Sequence, residues 1–192
     1  MKTKLMRITL LALLPLTPAA FAQTKEKDEA KKPAVKEVIV VEAAAPGTLA
    51  ASIRDAATFS ILTKALKAAD LEATLGDPKG SFTIFAPTDE AFMKLKEGTL
   101  DKLFLPENKE KLRSLLMFHV IPGQFTTSDL KEGKLTTANG EKLDVDIDGK
   151  TIKVENAKIS KSDLVLKNGV MHSIDHVIVP KSLDGFAGLD EK

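Results

Sequence analysis

The histidines are where chemistry would sit if this chain performs any. His172 and His176 lie four residues apart, with Ser173 and Asp175 between them. Serine, imidazole and carboxylate together can make a nucleophile, a base and an orienting group, and two imidazoles can hold a metal. The spacing argues against both. If Val170 to Val179 is a strand, His172 and His176 share a face about 13 Å apart, too far for one ion. Ser173 then points to the opposite face from both rings. No Gly-x-Ser-x-Gly elbow is present to expose a nucleophile. His119 and His172 are instead expected to be buried, hydrogen-bonded residues that fix strand ends.

A second candidate is Asp144-Val145-Asp146-Ile147-Asp148-Gly149, followed five residues later by Glu155. It satisfies the calcium-loop pattern of oxygen ligands at alternate positions. A hairpin explains the same residues better. With Asp148-Gly149 as a two-residue turn, Val145 faces Ile152 and Leu143 faces Val154, and the apolar residues share one face. Asp144 then faces Lys153 on the other face. A calcium hand needs flanking helices, and the flanks here alternate with period two. No metal and no cofactor are expected.

The elements that position these residues are readable. Phe82, Ile84, Phe85 and Ala86 form an apolar run with little alternation, as in a strand covered on both faces. Pro87 stops it, and Thr88 can cap a helix whose first turn carries Asp89 and Glu90. Ala91, Phe92 and Leu95 give that helix an inner stripe. Upstream, Phe59, Leu62, Leu66 and Ala69 fall on one helical face. Glu107 to Phe118 is another helix, with Leu112, Leu115 and Leu116 along one side. Pro122-Gly123 ends a short strand, and Thr126 or Thr127 caps a small helix carrying Leu130. Asn139-Gly140, Asp148-Gly149 and Asn168-Gly169 mark tight turns in a region that is mostly β.

Composition narrows the function. Lys2, Lys4 and Arg7, the apolar run Ile8 to Leu16, and Ala20-Phe21-Ala22 read as an export signal over residues 1–22. Its removal takes three cations from a formal charge of +1, leaving −2. Near-neutral mixed charge without Trp or Tyr disfavours nucleic-acid binding. No run is long enough to span a bilayer. The absence of cysteine excludes disulfides, thiol chemistry and a lipoprotein anchor. Residues 23–46 read as a charged flexible leader, interrupted by Val38-Ile39-Val40-Val41, a β-branched run suited to a strand added at a sheet edge.

Three stretches carry a resemblance: Thr83-Ile84-Phe85-Ala86-Pro87-Thr88-Asp89-Glu90-Ala91-Phe92, Phe118-His119-Val120-Ile121-Pro122-Gly123, and Asn168-Gly169-Val170-Met171-His172-Ser173-Ile174-Asp175-His176-Val177-Ile178-Val179-Pro180. In this order and spacing the chain resembles the fasciclin-like (FAS1) domain over roughly residues 47–181, with 182–192 as a tail. The resemblance implies an α+β fold, a compact and mostly antiparallel β wedge flanked by short helices. It implies an exported adhesion or interaction module, periplasmic or secreted, and not an enzyme. The expected partners are proteins or polysaccharides of envelope, matrix or biofilm. It assigns Thr83, Phe85, Ala86, Pro87, Thr88, Asp89, Phe92, Asn168, Gly169, His172 and Asp175 to the structural motif. Phe118 and His119 stand where animal members of the family carry a Tyr-His pair associated with adhesion, which marks them as the binding candidates. Asp89 stands where the family often has Asn. The alternative expectation is a carrier of a small apolar ligand, a pigment or lipid, held in a groove lined by Phe and Met.

Overall fold

The computed structural model describes residues 46–183. The expected signal segment, the leader up to Ala45 with its Val38–Val41 strand, and the tail beyond Leu183 fall outside these residues.

Helices come first. α1 (Leu49–Asp55) and a 3-10 turn (Ala57–Phe59) lead into α2 (Ser60–Ala68), followed by α3 (Glu72–Gly76). Phe59, Leu62, Leu66 and Ala69 are all buried, as their shared helical face requires. β1 (Phe82–Pro87) then runs directly into α4 (Asp89–Met93). α5 (Thr99–Leu103) and a 3-10 turn at Pro106–Asn108 precede α6 (Lys109–Phe118) and β2 (Val120–Pro122). The remainder is mostly β: β3 (Gly133–Thr136), β4 (Lys142–Asp148), β5 (Thr151–Val154), β6 (Ala157–Leu166) and β7 (Gly169–Ile174), with a last 3-10 turn at Lys181–Leu183.

The strands form one seven-stranded sheet in the order β2-β1-β7-β6-β5-β4-β3. Only β1 and β7 are parallel neighbours among the described strands, with Phe82 opposite Gly169 and Phe85 opposite His172. The sheet curls until its two ends approach, and the Ala138 amide beyond β3 donates to the Val120 carbonyl of β2 at 2.7 Å. The result is nearly a barrel, so most strand edges are closed against further pairing.

Two cores follow from this curl. Ile84, Ala86 and Met171 face outward from the sheet and pack with the helices. Phe85 and Ile174 face inward with Phe118, Ile121, Leu143 and Val154. β1 therefore needs apolar residues on both faces, which is why its sequence does not alternate. Burying Phe85 completely contributes about 2–3 kcal/mol.

Three local expectations need correction. The β4–β5 hairpin turns one residue later than expected: Asp148 pairs with Thr151, Ile147 with Ile152 and Val145 with Val154. Gly149, at φ +58°, takes the first central position, which suits glycine in a tight hairpin. Each residue's partner moves by two, so the faces are unchanged, but Asp146 rather than Asp144 stands opposite Lys153. Asp144 instead pairs with Lys134 of β3 at 2.9 Å. Second, β7 ends at Ile174 rather than Val179. There the Asp175 carboxylate accepts the Lys158 amide at 2.7 Å and takes over from the backbone carbonyl. Third, the expected small helix at Thr126 is a single turn, closed by the Thr126 hydroxyl and amide on Asp129.

Candidate functional site

α6 delivers the binding candidates. Leu112, Leu115 and Leu116 anchor it in the helical core, and its C-terminus drops Phe118 into the barrel core. His119 is the helix's C-cap. Both side chains are only 2% exposed, inside the fold rather than on its surface. The His119 ring bridges two segments of backbone. Its Nδ1 lies 2.8 Å from the Leu115 carbonyl, and its Nε2 accepts the Ile178 amide at 3.0 Å. An acceptor nitrogen carries no proton, so Nδ1–H is the donor. Burial pushes this imidazole down to about 4, against a smaller upward pull from the Leu115 carbonyl.

His172 makes the mirror-image arrangement on β7. It is fully buried and stacks on Phe85 of β1, with ring centroids 5.6 Å apart. Its Nδ1 accepts the Asp163 amide at 3.2 Å, so Nε2–H donates to the Phe125 carbonyl at 2.9 Å. Burial lowers its pKa, and the Phe125 carbonyl and Asp163 oppose that shift. Together the two neutral rings use opposite tautomers to join four separate stretches of main chain.

The other motif residues do the same kind of work. The Thr83 hydroxyl donates to the Gly123 carbonyl and accepts the Phe125 amide, both at 2.8 Å. Thr88 accepts the Ala91 amide and caps α4. Asn168 is fully buried. It accepts the Leu49 amide at 2.8 Å and donates to the Leu75 and Asp77 carbonyls at 2.8 and 2.9 Å. Gly169 lies so close to β1 that a Cβ there would stand 1.9 Å from the Phe82 carbonyl oxygen. Ala86, Pro87 and Phe92 are buried between sheet and helices.

Two residues act in ways that local pattern does not signal. Asp89 starts α4, yet its carboxylate accepts the Ser60 and Ile61 amides and so caps α2. Asp163 adopts a left-handed backbone (φ +60°) within the register shift between Lys161 and Leu164 of the β6–β7 ladder. Its two carboxylate oxygens accept the Thr127 amide at 2.7 Å and hydroxyl at 2.5 Å. Burial alone would raise this carboxyl, but the bonds from Thr127 and Ser162, with the nearby His172, together hold it below its usual value. The polar run Ser160 to Asp163 within a strand is the signal that could have marked this bulge.

These groups do not assemble into a reactive centre. Both ring nitrogens of His119 and of His172 are occupied by backbone. Ser173 lies on the opposite face of β7, toward the helices. The His176 Nδ1 stands 3.0 Å from Asp175 Oδ1, close enough for ion pairing but without hydrogen-bond alignment. Among the described residues, no three His, Asp or Glu side chains gather as metal ligands would.

A concavity lies beside this scaffold. A groove of about 430 Å³ opens between the 3-10 turn at Ala57–Phe59 and the bulged part of β6. Phe59, Met171 and Leu164 supply its apolar surface, while Ser52, Thr58 and Ser162 supply hydroxyls. Beside it, Leu164 and Val165 are 47% and 61% exposed, large apolar side chains left to solvent.

Comparison with known proteins agrees with this architecture. A model of the Fasciclin domain matches residues 57–180. Protein sll1483 of Synechocystis is 38% identical over 169 residues, spanning 87% of this chain and 88% of its own length. Human periostin is 32% identical over 125 residues, which is 64% of this chain and 15% of periostin. Among solved structures, a FAS1 domain pair from the insect cell adhesion molecule fasciclin I superposes with a TM-score of 0.62 at 19% identity. That match covers 71% of this chain and 52% of the pair.

Proposed function

The chain belongs to the fasciclin domain family, and from that premise we propose that it is an exported, non-catalytic adhesion module. Residues 1–22 direct export, and the folded domain meets proteins or polysaccharides of the envelope, matrix or biofilm with its outer surface. One observation carries this reading: the signature residues are spent on the fold. Phe118 and His119 are buried, and His119 and His172 have both ring nitrogens engaged with main chain. Their contribution to binding is to hold the surface in shape. A single domain offers a single patch, so individual contacts are weak and adhesion depends on many copies acting together.

The test compares the mature protein in solution with the same protein coated densely on beads. Coated beads should retain envelope or matrix material that the soluble monomer releases on washing, and crosslinking in the native envelope should identify what is attached. Nanomolar one-to-one binding by the monomer, or substrate turnover by the purified chain, would overturn the proposal.

A second reading has a specific observation in its favour. The groove containing Phe59, Met171 and Leu164 has the apolar lining that a carrier of a pigment or lipid needs. Protein purified from its own host should then be coloured or yield extractable lipid, and colourless, lipid-free material rules it out.

A further inference from the structure

The bulge in β6 decides which side chains meet in the groove. Lys161 stands opposite Ser173 and Leu164 opposite Met171, three steps along β6 against two along β7. In an unbroken strand, residues three apart face opposite ways. The extra residue cancels that alternation, so Lys161 and Leu164 both share the helix-facing side of the sheet with Ser173 and Met171. All four line the groove, together with Ala56 and Phe59. Of the lining residues only Lys161 and Asp163 are charged. The Asp163 carboxylate is committed through both oxygens to Thr127, which is not part of the lining. Lys161 is exposed, and among the described residues no carboxylate pairs with it. The bulge thus sets one free cation beside an apolar surface.

We propose that the groove holds a single-chain amphiphile with a carboxylate head, its hydrocarbon chain on Phe59, Leu164 and Met171 and its head on the Lys161 ammonium. This rests on the carrier reading and names its ligand. Volume selects one chain. About 430 Å³ lies near the small end of ligand pockets, room for one hydrocarbon chain rather than the two tails of a membrane lipid. Charge selects the head. A cation without an internal partner at the rim of apolar surface favours an anion there, and an uncharged pigment would leave it unused. The hydroxyls of Ser52 and Thr58 in the same lining add donors suited to carboxylate oxygens.

The test uses octanoate and 1-octanol, chains of equal length with and without the charge, titrated into the isotope-labelled mature protein and followed by amide NMR shifts. Octanoate should move the signals of Ser162, Leu164 and Met171. It should bind about threefold to fivefold more tightly than octanol, the worth of one partly exposed ion pair. Lys161→Gln should abolish that preference without weakening octanol binding, and Lys161→Arg should keep it. Lys161 is exposed, so neither change threatens the fold. Equal binding of the two probes, a preference that survives Lys161→Gln, or shifts confined to residues outside the groove overturns the proposal. Binding of neither probe overturns it too, while colour and extractable lipid test the carrier reading independently.

Discussion

His119 makes the domain's stability depend on pH in a calculable way. The ring is neutral in the fold, donating from Nδ1 and accepting at Nε2. Burial lowers its pKa from 6.5 to about 4. The unfolded chain therefore binds the proton first as pH falls, and stability rises with pH across that window. The contribution is fully present above about pH 6.5, declines through the window, and is wholly lost below about pH 4. At about 1.4 kcal/mol per unit, the loss from this ring is about 3 kcal/mol. That is a large part of the 5–15 kcal/mol typical of a domain. A urea midpoint should fall by about 1–3 M, given slopes near 1–3 kcal/mol/M. The assay is urea unfolding followed by far-UV circular dichroism, since the chain has no Trp or Tyr. The comparison is His119→Gln, whose amide can donate and accept but does not titrate. His172 and the carboxylates are common to both proteins, so the difference in pH dependence isolates His119. Equal losses in the two proteins between pH 6.5 and pH 4 would refute the reasoning.

Other substitutions separate backbone space from backbone conformation. Gly169→Ala forces a Cβ into the Phe82 carbonyl and should cost about 3 kcal/mol or more, read as loss of soluble folded protein. Gly149→Ala meets no atom within 4 Å but sits at φ +58°, so about 1 kcal/mol is expected by the same unfolding assay. Asn168→Ala removes three hydrogen bonds from the buried junction of α1, α3 and β7, about 3 kcal/mol at roughly 1 each. Asp89→Ala should cost about 1 kcal/mol through the lost α2 cap, and Asp89→Asn should recover most of it in thermal melts.

Legibility followed the range of the interaction. The non-alternating run Phe82 to Ala86 announced a strand buried on both faces, and Thr88 announced its helix, because period and capping are local. The hairpin at Gly149 showed which residues share a face but not which residues oppose each other. Two-residue periodicity is blind to a slide of two. Asp89 showed half of its role: it is the first-turn acid expected of α4, but its carboxylate also caps α2, which only tertiary packing brings near. The burial expected of His119 holds. Its partners, the Leu115 carbonyl and the Ile178 amide, were not legible, because the second is brought near only by closure of the fold.

The parallel pairing of β1 with β7 has a consequence for how the molecule comes into being. Phe82 must wait for Gly169, a partner from the far side of the chain. Until that last strand emerges, β1 lacks one flank, and Phe85 lacks the imidazole it stacks on. Such distant contacts make for slow, all-or-nothing assembly. A chain emerging from its N-terminus would thus stay pliable until almost its whole length was available.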